Sequence, residues 1–195
     1  MLIIISPEED LNNELSILNQ LFEAGLECFH FRKPKKNKEE VVAYLNQIDS
    51  KFHQKIVLHT FHELVNEFNL KGIHFSENMR IQHIDHPSQY FINLNMFAKT
   101  ISSSFHEIKE VENCYFEFDY HFLSPVFDTI SKENYHGRNF NVTEVDKDII
   151  ALGGITTENI NQLKVLGYIG AAVLGSIWNA KNPVEYFKNL RSNFG

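Results

Sequence analysis

The sequence predicts an α/β protein folded as a single small (β/α)8 TIM barrel spanning residues 1–195. Three observations carry that expectation. Eight short apolar runs alternate with segments of helical periodicity. No Pro/Gly/Ser-rich linker or low-complexity tract divides the chain. The runs at 123–132, 151–155 and 170–177 each end in small or hydroxylated residues, the composition of a phosphate rim, and a parallel barrel carries that rim at the C-terminal ends of its late strands.

The candidate strands lie at 2–6, 27–32, 55–59, 72–76, 100–104, 121–124, 149–153 and 171–175. After the first, Leu11, Leu15, Leu18, Leu21 and Phe22 recur at helical spacing; after the second, Val41, Val42, Leu45 and Ile48 do the same. Thr156 in Thr156-Thr157-Glu158-Asn159 is placed to cap a helix after the seventh strand. The chain is short for eight such units, so loops and some helices must be trimmed. An open doubly wound sheet would carry fewer strands and a G-x-G-x-x-G after the first. Here that strand runs into Ser6-Pro7-Glu8.

With 18 basic and 25 acidic residues the formal charge is −7, which disfavours a nucleic-acid partner. The densest basic cluster, Arg32, Lys33, Lys35, Lys36 and Lys38, reads equally well as a solvated loop entering a helix. Cys28 and Cys114 form neither a CxxC pair nor a disulfide framework. No signal-peptide pattern or long apolar span is present, so no membrane partner and a cytoplasmic location are expected. Apolar helices on a small barrel make a homodimer plausible.

Period-two alternation gives the side chains their faces. Cys28, His30 and Arg32 point inward on the second strand, with Phe29 and Phe31 outward; His74 and Ser76 point inward on the fourth. An inward arginine at a strand end needs an anionic partner, and a bound phosphate would serve. His30, His59 and His74 fall on adjacent strands. Three inward imidazoles are either a transition-metal site or hydrogen-bonded core; the second is the expectation, with no metal ligand assigned. Three late turns offer Thr129, Ser131 and Lys132, then Gly153 and Gly154, then Gly175 and Ser176. These residues let backbone N–H groups approach an anion. His136 and Arg138 read either as a lid or as a surface loop, and His106 as a residue that packs at a helix start.

These motifs together resemble the thiamine phosphate synthase and thiazole tautomerase (TenI-like) family. HFRKP at 30–34 is similar to its Q/H-x-R-x-K segment, GIHFS at 72–76 to its GVHLG strand, and SFH at 104–106 to its S-x-H. LSPVFDTISK at 123–132 is similar to GPVFxTxTK, and ALGGI and AAVLGSI to its late phosphate-binding strands. The resemblance implies coupling of an aminopyrimidine diphosphate with a thiazole phosphate to give thiamine phosphate and pyrophosphate. It further implies that Arg32 and Lys132 hold the diphosphate and that Thr129 and Ser131 donate hydrogen bonds to phosphate oxygens. Amides near Gly153, Gly154, Leu174, Gly175 and Ser176 then grip the thiazole phosphate, and Ser104 contacts the pyrimidine. His30, Lys33 and His59 complete the implied substrate-binding set.

The resemblance also implies Mg²⁺, held in the synthase by an Asn-Asp pair after the third strand and an Asp after the fourth. Here those places fall on His59 and Thr60, and at or beside Asn78 and Met79, with Glu77 and Asp85 in the same loop. Pro34 stands where the lysine of Q-x-R-x-K is expected. The alternatives are the tautomerase, which moves a proton without Mg²⁺ but whose catalytic histidine corresponds to Pro125, and a phosphate-binding paralogue without turnover.

Overall fold

The computed structural model describes residues 1–84, 90–128 and 136–195. Its eight strands are β1 (Leu2–Ile5), β2 (Phe29–Phe31), β3 (Ile56–Leu58), β4 (Gly72–Phe75), β5 (Thr100–Phe105), β6 (Tyr120–Leu123), β7 (Ile149–Leu152) and β8 (Gly170–Val173). All pair in parallel in chain order, and β8 closes back onto β1 through Leu2–Ala171, Ile3–Ala172 and Ile4–Val173. The closed barrel matches the expected architecture, each strand within two residues of its predicted ends. Among the described residues no helix is long and apolar enough to cross a membrane.

Alternation divides the core as anticipated. Ile3, Ile5, Cys28, Val57, Tyr120, Phe122, Ile150 and Ala172 pack together inside the barrel. Their sequence neighbours Ile4, Phe29, Ile56, Leu123, Ile149 and Ala171 face the helices in a separate, larger cluster. Many of the chain's 17 phenylalanines fill that outer layer; Phe75, for example, meets Tyr90, Phe91 and Phe118. Bulky aromatics let short helices cover the strands without long side-chain stacks.

The helices are trimmed more than periodicity suggests. α1 (Glu14–Glu23) buries Leu18, Leu21 and Phe22. Leu11 lies before it and is exposed, because the chain is still in its entry loop there. α2 (Lys38–Leu45) starts from a capping box, in which Asn37 accepts from Glu40 N–H while the Glu40 side chain accepts from Asn37 N–H. Val41 and Leu45 are buried, and Ile48 reaches the core from beyond the helix end.

α3 (Leu64–Glu67), α4 (Glu77–His83), α5 (Ile108–Glu112) and α6 (Gly175–Trp178) are one to two turns long, and α7 (Pro183–Phe194) closes the chain. Ser76, expected inside, is exposed and caps α4 by accepting from Met79 N–H (3.4 Å). A cap must sit outside the sheet, which overrides alternation at the strand's last step. The helix expected after β7 is a single 3-10 turn, Ile160–Gln162. Thr156 serves the preceding turn instead, its hydroxyl accepting from Glu158 N–H (3.3 Å).

Candidate functional site

Beneath the C-terminal mouth of the barrel, three imidazoles meet. His30 on β2 and His74 on β4 are fully buried, and His59, one residue past β3, is nearly so. His30 Nδ1 lies 2.9 Å from His59 Nε2, and the His59 and His74 rings stack with centroids 4.3 Å apart. His30 also stacks on Phe122 at 4.8 Å. Three further ring nitrogens are committed to the wall: His30 Nε2 to Tyr120 Oη, His74 Nδ1 to Ser102 Oγ and His74 Nε2 to Ser104 Oγ, each at 2.8 Å. Ser102, Ser104, Tyr120 and Phe122 all face inward by the same two-residue period.

Burial dominates the electrostatics here. It pulls His30 down to about 3, with a smaller push from the charge of Lys71. It also holds His59 and His74 well below the usual imidazole value, reinforced by neighbouring imidazoles and the Arg32 charge. At neutral pH the cluster is therefore a chain of uncharged donors and acceptors. The same burial raises the Cys28 thiol to about 11 and the Tyr120 phenol well above its normal value.

Arg32 leaves β2 at the rim, its own amide donating to Ser6 Oγ (2.8 Å). The guanidinium is not sealed inside; its side chain is 40% exposed and pairs with Glu8 of the β1–α1 loop. A carboxylate supplied by the chain thus takes the place expected for a phosphate. Lys33 requires a fuller correction. Expected beside the substrate, it is buried below the rim, where its Nζ donates to Glu14 Oε2 (2.8 Å), Pro7 O (2.9 Å) and Glu9 O (3.1 Å). Asp10 lies 3.1 Å away, and Tyr44 Oη donates to the other Glu14 oxygen (2.6 Å). A lysine sealed from water must keep an anionic partner, so this ammonium braces the β1–α1 loop.

The late turns adjoin one another. Val126 N–H donates to Leu152 O (3.0 Å) and Phe127 N–H to Gly153 O (3.1 Å), joining the segment after β6 to the end of β7. Gly153 (φ +99°) and Gly154 (φ +66°) occupy left-handed backbone. A Cβ on Gly154 would come within 2.4 Å of Asp128 O. Leu174, Gly175 and Ser176 follow on the neighbouring strand β8, half-buried, and Trp178 Nε1 donates to Ile5 O (2.7 Å) to pin that turn against β1. Thr129, Ser131 and Lys132, with Asp85, lie outside the described residues.

Arg138 is not posed as a free lid residue. It grips Glu107 through both terminal guanidinium nitrogens and donates to His106 O (2.9 Å). His106 Nδ1 donates to Ser124 O (2.9 Å), the packing role expected of it.

Mg²⁺ prefers oxygen ligands, typically carboxylates with substrate phosphates. Positions 59, 60, 78 and 79 offer an imidazole, a hydroxyl, an amide and a thioether. Among the described residues, the only group of three or more candidate metal ligands is His30, His59 and His74. That donor set does not fit Mg²⁺.

Sequence reasoning missed Glu8, Glu14, Ser102, Tyr120 and Phe122. Glu14 carried a signal, since it precedes Leu18 and Leu21 by four and seven residues on the buried face of α1. Glu8 carried none, because a loop carboxylate has no periodicity.

Comparison with known proteins agrees with the fold described above. A family model described as thiamine monophosphate synthase matches residues 1–177. The thiamine-phosphate synthase of Actinobacillus succinogenes is 23% identical over 200 residues, covering 94% of this chain and 88% of that protein. Among solved structures, thiamine phosphate pyrophosphorylase from Bacteroides thetaiotaomicron superposes with a TM-score of 0.77 at 31% identity, covering 98% of this chain and 96% of the other. The thiamine phosphate pyrophosphorylase from Pyrococcus furiosus gives a TM-score of 0.76 at 17% identity, over 99% and 94% of the two chains, a likeness of fold.

Proposed function

We propose, from the premise that this chain belongs to the thiamine monophosphate synthase family, that it couples an aminopyrimidine diphosphate with a thiazole phosphate. The products are thiamine phosphate and pyrophosphate. The observation that carries the reading is the contiguity of the late turns: the segment after β6 is hydrogen-bonded to the end of β7, and the half-buried β8 turn lies on the next strand.

In this reading the C–O bond between the pyrimidine methylene and the diphosphate breaks, and the thiazole nitrogen captures the resulting cation. Arg32 and Lys132 neutralise the departing diphosphate, with hydroxyl hydrogen bonds from Thr129 and Ser131. Amides around Gly153, Gly154, Leu174, Gly175 and Ser176 hold the thiazole phosphate. Ser104, His30 and His59 border the pyrimidine. Arg32 must exchange Glu8 for phosphate oxygens on binding.

The test is product formation from the two precursors by purified protein, followed by chromatography of thiamine phosphate, across a series of divalent metals and a metal-free control. Stoichiometric product and pyrophosphate support the reading; no product under any condition, beside an active control enzyme, removes it. A second reading, proton transfer on a thiazole phosphate, is favoured by the direct His30–His59 hydrogen bond, which can relay a proton between neutral rings. Solvent deuterium exchange into the thiazole phosphate without metal would distinguish it. The homodimer is likewise a proposal, checked by light scattering on the eluting protein.

A further inference from the structure

We propose that His30, His59 and His74 form a binding site for a borderline transition-metal dication of the Zn²⁺ or Co²⁺ class beneath the barrel mouth. The ligands come from three successive strands whose inward positions coincide. One nitrogen from each ring lies within 4.8 Å of the others. His30 meets both other rings edge-on, at centroid separations of 5.1 and 5.2 Å. Imidazole nitrogens suit Zn²⁺, Co²⁺ and their neighbours far better than they suit Mg²⁺.

The surroundings resemble the outer layer of a metal site. A ligating histidine usually donates its second ring N–H to a fixed partner, which sets the tautomer. Tyr120 Oη is so placed for His30 Nε2, and Ser102 Oγ for His74 Nδ1, both at 2.8 Å. Those partners free His30 Nδ1 and His74 Nε2 to coordinate, together with His59 Nε2. The metal replaces two contacts, His30–His59 at 2.9 Å and His74–Ser104 at 2.8 Å. With metal–nitrogen bonds of about 2.0–2.1 Å, tetrahedral ligand atoms stand about 3.3 Å apart. The His30–His59 pair therefore opens by a few tenths of an ångström, while the widest separation, up to 4.8 Å, closes toward about 3.3 Å by ring rotation.

Three protein ligands leave one position open, the arrangement of reactive rather than purely structural sites. The metal site does not rest on the proposed synthase function.

The experiment is titration of chelator-treated full-length protein with Co²⁺, with no substrate present. One equivalent is expected to bind with the visible bands of a four-coordinate complex. Zn²⁺ should bleach them and excess Mg²⁺ should leave them unchanged. His59→Asn and His74→Gln should each weaken binding about tenfold or more, with folding followed by circular dichroism. X-ray absorption on the wild-type Zn²⁺ form, which needs no variant, should count three imidazoles. Folded wild-type protein that takes up neither ion, fewer than three imidazoles, or folded variants that bind like wild type would overturn the site. Failed thiamine phosphate synthesis with intact Co²⁺ bands would remove the synthase reading only.

Discussion

His30 Nδ1 and His59 Nε2 share a hydrogen bond of 2.9 Å inside a closed barrel, so one ring donates the proton that the other accepts. That pairing requires at least one neutral imidazole and penalises a second proton on either ring. It ties the stability of the whole barrel to pH.

Unfolded, each of these histidines has the ordinary imidazole value of about 6.5; in the fold, burial pulls His30 down to about 3 and holds the other two well below 6.5. Between those values the unfolded chain binds more protons than the native one. Stability is thus complete above about pH 6.5 and declines as the pH falls toward 3, with a slope of up to about 1.4 kcal/mol per pH unit for each histidine. Urea midpoints at pH 7.5 should exceed those at pH 5.0, and His59→Asn should flatten the profile. An unchanged midpoint across that range in wild type would contradict the assignment.

Breaking the Lys33–Glu14 pair leaves an uncompensated charge in the interior. Lys33→Met should cost about 3–5 kcal/mol by chemical denaturation, because it removes the buried cation that pairs with Glu14. Pyrophosphate affinity of the folded variant should match wild type, since the Lys33 ammonium is engaged by Pro7, Glu9 and Glu14 and braces a loop. A large loss of affinity at unchanged stability would restore its expected place at the substrate.

The two glycine turns should respond differently to a methyl group. Gly154→Ala strains left-handed backbone and drives a Cβ onto Asp128 O, so it should lower stability and phosphate-ligand binding together. At Gly175 an added Cβ meets nothing nearer than Asn179 Nδ2 at 3.9 Å. Gly175→Ala should therefore retain wild-type stability within about 0.5 kcal/mol, and any change in phosphate affinity reads the contact itself. Calorimetric titration with inorganic phosphate and thermal unfolding on both variants separate these outcomes.

Glu8 and a phosphate compete for the same guanidinium. Glu8→Gln should tighten pyrophosphate binding by at most about 1 kcal/mol, the scale of a half-exposed ion pair. Arg32→Ala should weaken it by about 1.5–3 kcal/mol, the scale of charge-assisted hydrogen bonds. If Arg32→Ala binds pyrophosphate as wild type does, the arginine plays no part in anion binding.

Lys132→Ala and Ser131→Ala should weaken phosphate-ligand binding, whereas Lys36→Ala should not. Lys36 already holds Asp10 at 2.7 Å, in the loop that Lys33 braces. Equal affinities across the three variants, measured by competition with a labelled phosphate ligand, would relocate the site.

The strand number, the order of units and the faces of Cys28, His30 and His74 were legible in the sequence. The faces are written in local periodicity: Cys28 and His30 against Phe29 and Phe31, His74 against Ile73 and Phe75. The histidine triad was legible as a shared face, because consecutive parallel strands keep register. Element ends were less so. Ser76 turned from wall to cap and Leu11 fell outside its helix, since a terminus answers to unpaired backbone groups that periodicity does not record.

Tertiary structure alone chose the partners. His30 meets Tyr120 across 90 residues of chain, Arg32 meets Glu8 across 24, and Lys33 finds Glu14 across 19. Local spacing cannot distinguish a rim cation awaiting an anion from one already matched by a loop carboxylate. Barrel closure makes that choice, because it decides which side chains are denied water and must satisfy one another.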